Sequence, residues 1–169
     1  SYPNKLRLSS NDFIIIQNTT ITDEVFERYS FNVQEGQKKL SFVNCIFKCT
    51  TSNYPLKDRS PIKLEINSSR LEKLSSNLFG GLRSHEISFY DVVIVHTPED
   101  LFNKSNPTKM IFVNVHFTGE HLGLLTGSSP ESIVVRDSTN FTTSDFQTLK
   151  PKKIKTMKLI KLWPKLSSA

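Results

Sequence analysis

Residues 62–82 read IKLEINSSRLEKLSSNLFGGL. Leu64 and Ile66 alternate with Lys63, Glu65 and Asn67, the two-residue period of a strand with one buried face. Asn67-Ser68-Ser69 breaks that strand, because short polar side chains compete for nearby backbone groups. Leu71, Leu74, Leu78, Phe79 and Leu82 then continue the apolar series at spacings of 3, 4, 1 and 3. A strand, a polar corner and an apolar return make one unit, with the spacing of a leucine-rich repeat.

The unit recurs along the chain. Aligned on Leu64, matching strands begin at Ile14, Leu40, Ile87, Met110, Ile133 and, partially, Ile154 to Leu159 with Met157 in register. The starts at 14, 40, 64, 87, 110, 133 and 157 are separated by steps of 26, 24, 23, 23, 23 and 24. Seven residues after Ile14, Leu40, Leu64, Ile87 and Met110 stand Ile21, Phe47, Leu71, Ile94 and Phe117, and Phe141 follows one residue late in the next unit. Eight residues beyond Leu71, Ile94, Phe117 and Phe141 come Phe79, Phe102, Leu125 and Leu149. The longest step holds the polar insertion Glu35–Lys39, which a surface loop would tolerate.

Four residues after each start the chain carries Asn18, Asn44, Ser68, Asp91, Asn114 and Asp137, all short and polar, as a recurring corner requires. The next position holds Thr19, Cys45, Ser69, Val92, Val115 and Ser138, a degenerate version of the asparagine ladder of leucine-rich repeats. Pro55, Pro98, Pro130 and Pro151 fall outside the strands. A pentapeptide-type parallel β-helix is the rival fold, suggested locally by Phe42-Val43-Asn44-Cys45-Ile46-Phe47, but no five-residue period persists.

These features predict one α/β solenoid domain over residues 1–169: a leucine-rich repeat of about seven 23–26-residue turns. One parallel β-sheet would line a concave face, opposite a mostly irregular or short-helical convex side. Strands written h-x-h-x-N-s-x-h with returns L-x-x-L-x-x-x-L-F make residues 13–162 resemble the extracellular leucine-rich repeat proteins, in the style of arthropod secreted members. The resemblance implies an extracellular, non-enzymatic recognition role. The chain departs from that family in lacking cysteine-rich caps and a coiled-coil tail.

Charge is unevenly placed. The net charge is +6, yet seven lysines and no acidic residue follow Phe146, so the preceding chain carries about −1. The basic stretch 150–169 (Lys150, Lys152, Lys153, Lys155, Lys158, Lys161, Lys165) reads as a capping repeat, with Leu162 and Trp163 covering the open end. The alternative is attraction of an anionic polysaccharide or other polyanion. Nucleic acid is disfavoured, because the lysines are not interleaved with several aromatic residues. No run reaches the roughly 18 apolar residues of a membrane span. Ser1–Ser10 lacks a charged-then-apolar signal pattern.

No catalytic motif emerges. His85, His96, His116 and His121 occur without metal-ligand spacing and read as solvated loop histidines. Glu65 and Glu86 are one repeat apart and are expected as sheet neighbours, not as an acid–base pair. Gly80-Gly81 reads as a turn. No cofactor is indicated. The sequons at Asn18, Asn67, Asn103 and Asn140 lean towards a secreted glycoprotein. Cys45 and Cys49 could form a local disulfide if the chain folds back between them, or stand as two small buried hydrophobes.

The predicted functional surface is the exposed side of the sheet. Its residues flank the inward ones: Phe13, Ile15, Gln17; Lys39, Ser41, Val43; Lys63, Glu65, Asn67; Glu86, Ser88, Tyr90; Lys109, Ile111, Val113; Ser132, Val134, Arg136. Mixed charge surrounds Tyr90 at the centre, and apolar side chains stand at both edges, a composition suited to a protein partner. A glycan on Asn67 would obstruct that face.

Overall fold

The computed structural model describes residues 6–10, 12–30, 33, 34, 36–50, 56–121, 123–147, 149 and 154–166. Pro55, Pro151, Lys150, Lys152 and Lys153 lie outside these residues. The chain is a parallel-strand solenoid of about six turns. Its strands are β1 (Leu6–Ser10), β2 (Phe13–Gln17), β3 (Thr20–Thr22), β4 (Lys39–Val43), β5 (Ile46–Lys48), β6 (Lys63–Asn67), β7 (Arg70–Lys73), β8 (Glu86–Ile94), β9 (Lys109–Phe117), β10 (Ser132–Arg136) and β11 (Thr156–Ile160). One helix, α1 (Asp23–Ser30), follows β3. All eleven strands join one sheet, parallel throughout except for β1, which runs antiparallel beside β2.

The repeat starts meet as lateral neighbours. Ile14 pairs with Leu40, Leu40 with Leu64, Leu64 with Ile87, Ile87 with Met110, Met110 with Ile133 and Ile133 with Met157. Two inward columns result, and every member from Ile14 to Val135 is buried. Seven first-row strands begin, but the last has no following turn in register beside it, so about six turns are complete where seven were predicted.

The sheet bends at a left-handed corner. Asn18, Asn44, Ser68, Asp91, Asn114, Asp137 and Lys161 all adopt φ between 52° and 56°. Asn and Asp tolerate this region best among residues with a Cβ, which explains the short polar column. Backbone bonds tie the corners into a ladder: the Asn44 N–H donates to the Asn67 carbonyl and the Ser68 N–H to that of Tyr90.

After the corner comes a second strand row, where the sequence suggested an irregular return. β3, β5, β7 and the distal halves of β8 and β9 pair in parallel, aligning Ile21, Phe47, Leu71, Ile94 and Phe117. These side chains point inward and are buried, while their neighbours in β3 and β5 are exposed. Alternation about one apolar residue therefore suffices for a three-residue strand once parallel neighbours supply its hydrogen bonds. Ser69 and Ser138 do the work of the missing asparagine ladder: their hydroxyls accept the N–H of Cys45 and Val115 one turn back and donate to the carbonyls of Asn67 and Arg136.

α1 occupies part of the longest repeat. Thr22 Oγ1 accepts the Val25 N–H at its start, and Asp23 and Glu24 suit the positive end of its dipole. Val25, Phe26 and Tyr29 are buried on one face. Phe26 begins an aromatic series along the solenoid axis that passes through Phe42, Phe47, Phe79, Phe89, Phe102 and Phe112 to Phe141, with neighbouring ring centroids 5.1–6.5 Å apart. Such pairs add about 0.5–1.5 kcal/mol each beyond burial. The polar insertion is less superficial than predicted: Gln37 is buried and its carbonyl accepts the Ile62 N–H.

Candidate functional site

The outward positions of the first row form three lanes, but not all are open. Phe13, Lys109 and Arg136 are exposed, and Ile15, Gln17, Lys39, Lys63, Glu65, Glu86, Tyr90, Ile111 and Val113 are half-buried. Ser88 and Ser41, predicted on the open face, are buried. Register explains this: Ser88 lies between Glu65 and Ile111, and Ser41 between Ile15 and Glu65. A short side chain is shaded by longer ones about 4.8 Å to either side. The Ser88 hydroxyl has no hydrogen-bond partner.

Opposite charges in these lanes pair across strands, Lys39 with Glu65 diagonally and Lys63 with Glu86 directly opposite. Lys39 Nζ lies 2.5 Å from Glu65 Oε2, and Lys63 Nζ lies 2.8 Å from Glu86 Oε2. The hydrogen bond to Glu86 holds the Lys63 ammonium above the usual lysine range, with burial opposing it. Glu65 and Glu86 are thus each engaged by a lysine, in neighbouring strands of one sheet.

The sequons and cysteines sit at corners. Asn18 and Asn140 are exposed, whereas Asn67 and Asn103 are half-buried. Asn18 Oδ1 accepts from Asn44 Nδ2 at 2.7 Å, and Asn140 Nδ2 donates to the Phe117 carbonyl. Ser69 and Ser105, the hydroxyl residues of the Asn67 and Asn103 sequons, are buried and hydrogen-bonded. Cys45 and Cys49 are free, buried thiols. The extended β5 lies between them, and about 3.3 Å of rise per residue carries their Cα atoms well beyond the roughly 7 Å that a disulfide spans. Each thiol donates to a carbonyl of the neighbouring turn, Cys45 to Ile16 and Cys49 to Ile21. Burial pushes both thiols up, Cys49 to about 12 with Asp23 adding to the effect.

Two of the histidines are not solvated loop residues. His116 Nδ1 lies 2.7 Å from Thr139 Oγ1, its Nε2 meets Asn114 Oδ1, and Asn114 Nδ2 donates to Asp91 Oδ1 at 2.7 Å. The set has the connectivity of hydroxyl, base and orienter. It lies along the outer side of the second row, and neither His116 nor Thr139 lines the cavity described next.

His121 stacks on Phe117 with ring centroids 3.6 Å apart and donates from Nε2 to Asp145 Oδ2 at 2.9 Å. Asp145 is fully buried. Its Oδ1 accepts the Leu124 N–H and its Oδ2 the Thr142 N–H, at 3.1 and 2.8 Å. His121 and Phe141 lie at the floor of a cavity of about 750 Å³ that also meets Thr97, Glu99, Gly119, Glu120, Asn140, Thr142 and Pro164. Gly119 is required there: a Cβ would stand 2.1 Å from the Val95 carbonyl oxygen. No sequence motif marks this pair, yet its spacing carries a signal. His121 and Asp145 are 24 residues apart, one repeat step, as His116 and Thr139 are 23 apart.

Among the described residues no group of three or more His, Cys, Asp or Glu is placed to hold a metal ion, and no helix is long and apolar enough to cross a membrane. The predicted covering of the C-terminal end is met in part: Leu162 packs partly buried against the core, but Trp163 does not. Trp163 is 73% exposed, and Met157 and Leu159, at inward positions of β11, are 40% and 38% exposed. Among the described residues no further strand lies beside β11, so its inward positions are only partly covered. Comparison with family models, with curated proteins and with solved structures gives no match to this chain.

Proposed function

We propose that this chain is a non-enzymatic binding module of the leucine-rich class that holds a protein partner across the outward lanes of its first strand row. The observation that supports the reading is the register. Tyr90 and Val113 stand side by side, with Ile111 in the adjoining lane of the same strand as Val113, beside the Lys63–Glu86 and Lys39–Glu65 pairs. A rigid sheet presenting half-buried aromatic and aliphatic side chains next to ordered charge is the composition of an interface core with a polar rim. A non-catalytic role fits the engagement of Glu65, Glu86 and Asp145: the first two each meet a lysine, Asp145 is used by backbone N–H groups and His121, and no Ser, Thr or Cys side chain hydrogen-bonds the His121 ring among the described residues. An extracellular setting belongs to the same proposal and rests on the four sequons. Intact mass before and after deglycosylation tests that part.

The decisive experiment compares affinity capture by the wild-type chain, by Tyr90→Ala/Ile111→Glu and by a control altered on the second row, Arg70→Glu. A protein retained by wild type and control but lost with the lane variant supports the reading. Equal retention by all three, or turnover of a substrate that a single side-chain change abolishes, would refute it.

A second reading, assembly into a larger complex, is favoured by the open end. Among the described residues β11 pairs with β10 alone, and all five of its residues are exposed. An unpaired strand edge with partly covered core positions invites another chain to continue the sheet. Light scattering on a size-exclusion column should then show an assembly that Met157→Lys/Leu159→Lys dissolves. A clean monomer over a wide concentration range argues against it. The polyanion alternative attaches to Lys155, Lys158, Lys161 and Lys165, which stand exposed around the same end. Heparin retention that persists after their neutralisation would remove it.

A further inference from the structure

We infer that the cavity over His121 is a binding site for an organic cation bearing N–H donors: an alkylammonium or guanidinium head on a short apolar stem. The inference is independent of the lanes of the first row.

The polar side-chain atoms left uncommitted around this cavity are predominantly acceptors. Asp145 receives backbone N–H groups on both carboxylate oxygens, so it can offer the imidazole only an acceptor. His121 therefore donates from Nε2, and in the neutral imidazole Nδ1 is left as an acceptor. No described group hydrogen-bonds that Nδ1, although His121 is nine-tenths buried and borders the cavity. Asn140 uses its amide Nδ2 on the Phe117 carbonyl, which leaves Oδ1 as its unused atom. Glu99 and Glu120 bring two carboxylates that make no ion pair among the described residues. The Thr97 hydroxyl, the one group able to act either way, is buried with no partner at all.

A site of this make-up rejects anions and satisfies N–H donors. A neutral donor would leave the two carboxylates uncompensated, whereas an ammonium or guanidinium forms charge-assisted bonds to them. The buried Phe141 ring gives the stem an apolar wall, and the Phe117 stack holds the His121 ring in place beside it. A Cβ on Gly119 would collide with the Val95 carbonyl and the His96 ring, so this part of the wall is packed too closely for a side chain. Pro164 of the basic stretch 150–169 borders the cavity, but its lining carries Glu99 and Glu120 and no lysine, so the polarity of the wall is a local property.

The shared chemistry could come from a free amine or from a lysine or arginine side chain of a protein, and the test separates them. The full 169-residue chain is titrated with n-butylamine, with agmatine, and with a blocked Gly-Arg-Gly peptide, while NMR follows the resonances of His121, Thr97 and Phe141. Butanol and butyrate serve as neutral and anionic controls with the same stem. Saturable shifts with the cations and none with the controls are expected. Glu99→Gln/Glu120→Gln, two exposed changes that leave the core untouched, should weaken binding by about tenfold or more. Tighter binding of the free amines assigns a small-molecule ligand, and equal or tighter binding of the peptide assigns a protein side chain. Absence of saturable shifts at about 20 mM cation, equal binding of butyrate or butanol, or unchanged affinity in the folded double variant overturns the inference; the cations span the millimolar affinities that a few such contacts supply.

Discussion

At Ser68 the backbone φ is 52°, the one corner of the first six that is neither Asn nor Asp. Its hydroxyl donates to Asn67 Oδ1, so the side chain contributes locally while the backbone bears the cost of the left-handed region. Ser68→Val should lower stability by about 1–2 kcal/mol in urea denaturation, because a β-branched side chain is the least suited to this region. Ser68→Gly should be neutral or slightly stabilising. Equal losses from both would mean that the hydroxyl, and not φ, carries the corner. The buried thiols make a separate prediction. A thiol whose folded pKa is raised ionises first in the unfolded chain, so the unfolded state binds fewer protons as pH rises. Stability should be unaffected by Cys49 below its ordinary value of 9.0 and decline from there towards about 12. Cys49→Ala should flatten this alkaline decline, measured by denaturation at stepped pH, whatever its effect on stability at neutral pH.

Among the elements, the paired strands and the aromatic series define where the molecule is strongest. Phe112 touches Phe89 and Phe141 at centroid distances of 5.4 and 5.7 Å and is fully buried. Phe112→Ala should cost about 3–5 kcal/mol, from lost transfer and an unfilled cavity. The companion change Phe112→Leu should recover a large part of it, as calorimetry would show. The two rows differ in how they were legible. The first row follows from strict alternation, and Leu64 and Ile66 were readable as buried from their own neighbours. The second row was not, because Thr20-Ile21-Thr22 and Ile46-Phe47-Lys48 are too short to declare a strand by themselves. Lateral hydrogen bonds from the adjacent turns make them strands, and those partners lie 24 or more residues away.

For the molecule as a whole, solenoid stability is close to a sum over neighbouring turns, so the ends differ from the middle. β8 and β9 run through both rows and are paired on each side, whereas β11 is paired on one side and exposed throughout. Amide hydrogen exchange should be slowest in Ile87–Ile94 and Met110–Phe117 and faster by orders of magnitude in β11. Uniform protection along the chain would mean that the open end is covered in solution, and would favour assembly over a lone module.

The sequence by itself determined the parallel stacking, the inward columns and the corners. These depend on a period: residues one step apart become neighbours, so a repeated Leu, Ile or Phe reports its own burial and a repeated Asn or Asp its own turn. Only the tertiary structure decided which outward positions are open, that the thiols are too far apart to bridge, and that Trp163 stands exposed while Leu162 packs against the last turn. Ser88 is shaded by what stands on adjacent strands, and Cys45 and Cys49 are separated by an extension that their spacing does not declare. The cavity over His121 belongs to the same class. It is assembled from residues between the strands in successive turns, where the pattern fixes the length of the connection but not its path, and where one carboxylate, Asp145, sets which nitrogen of a histidine faces out.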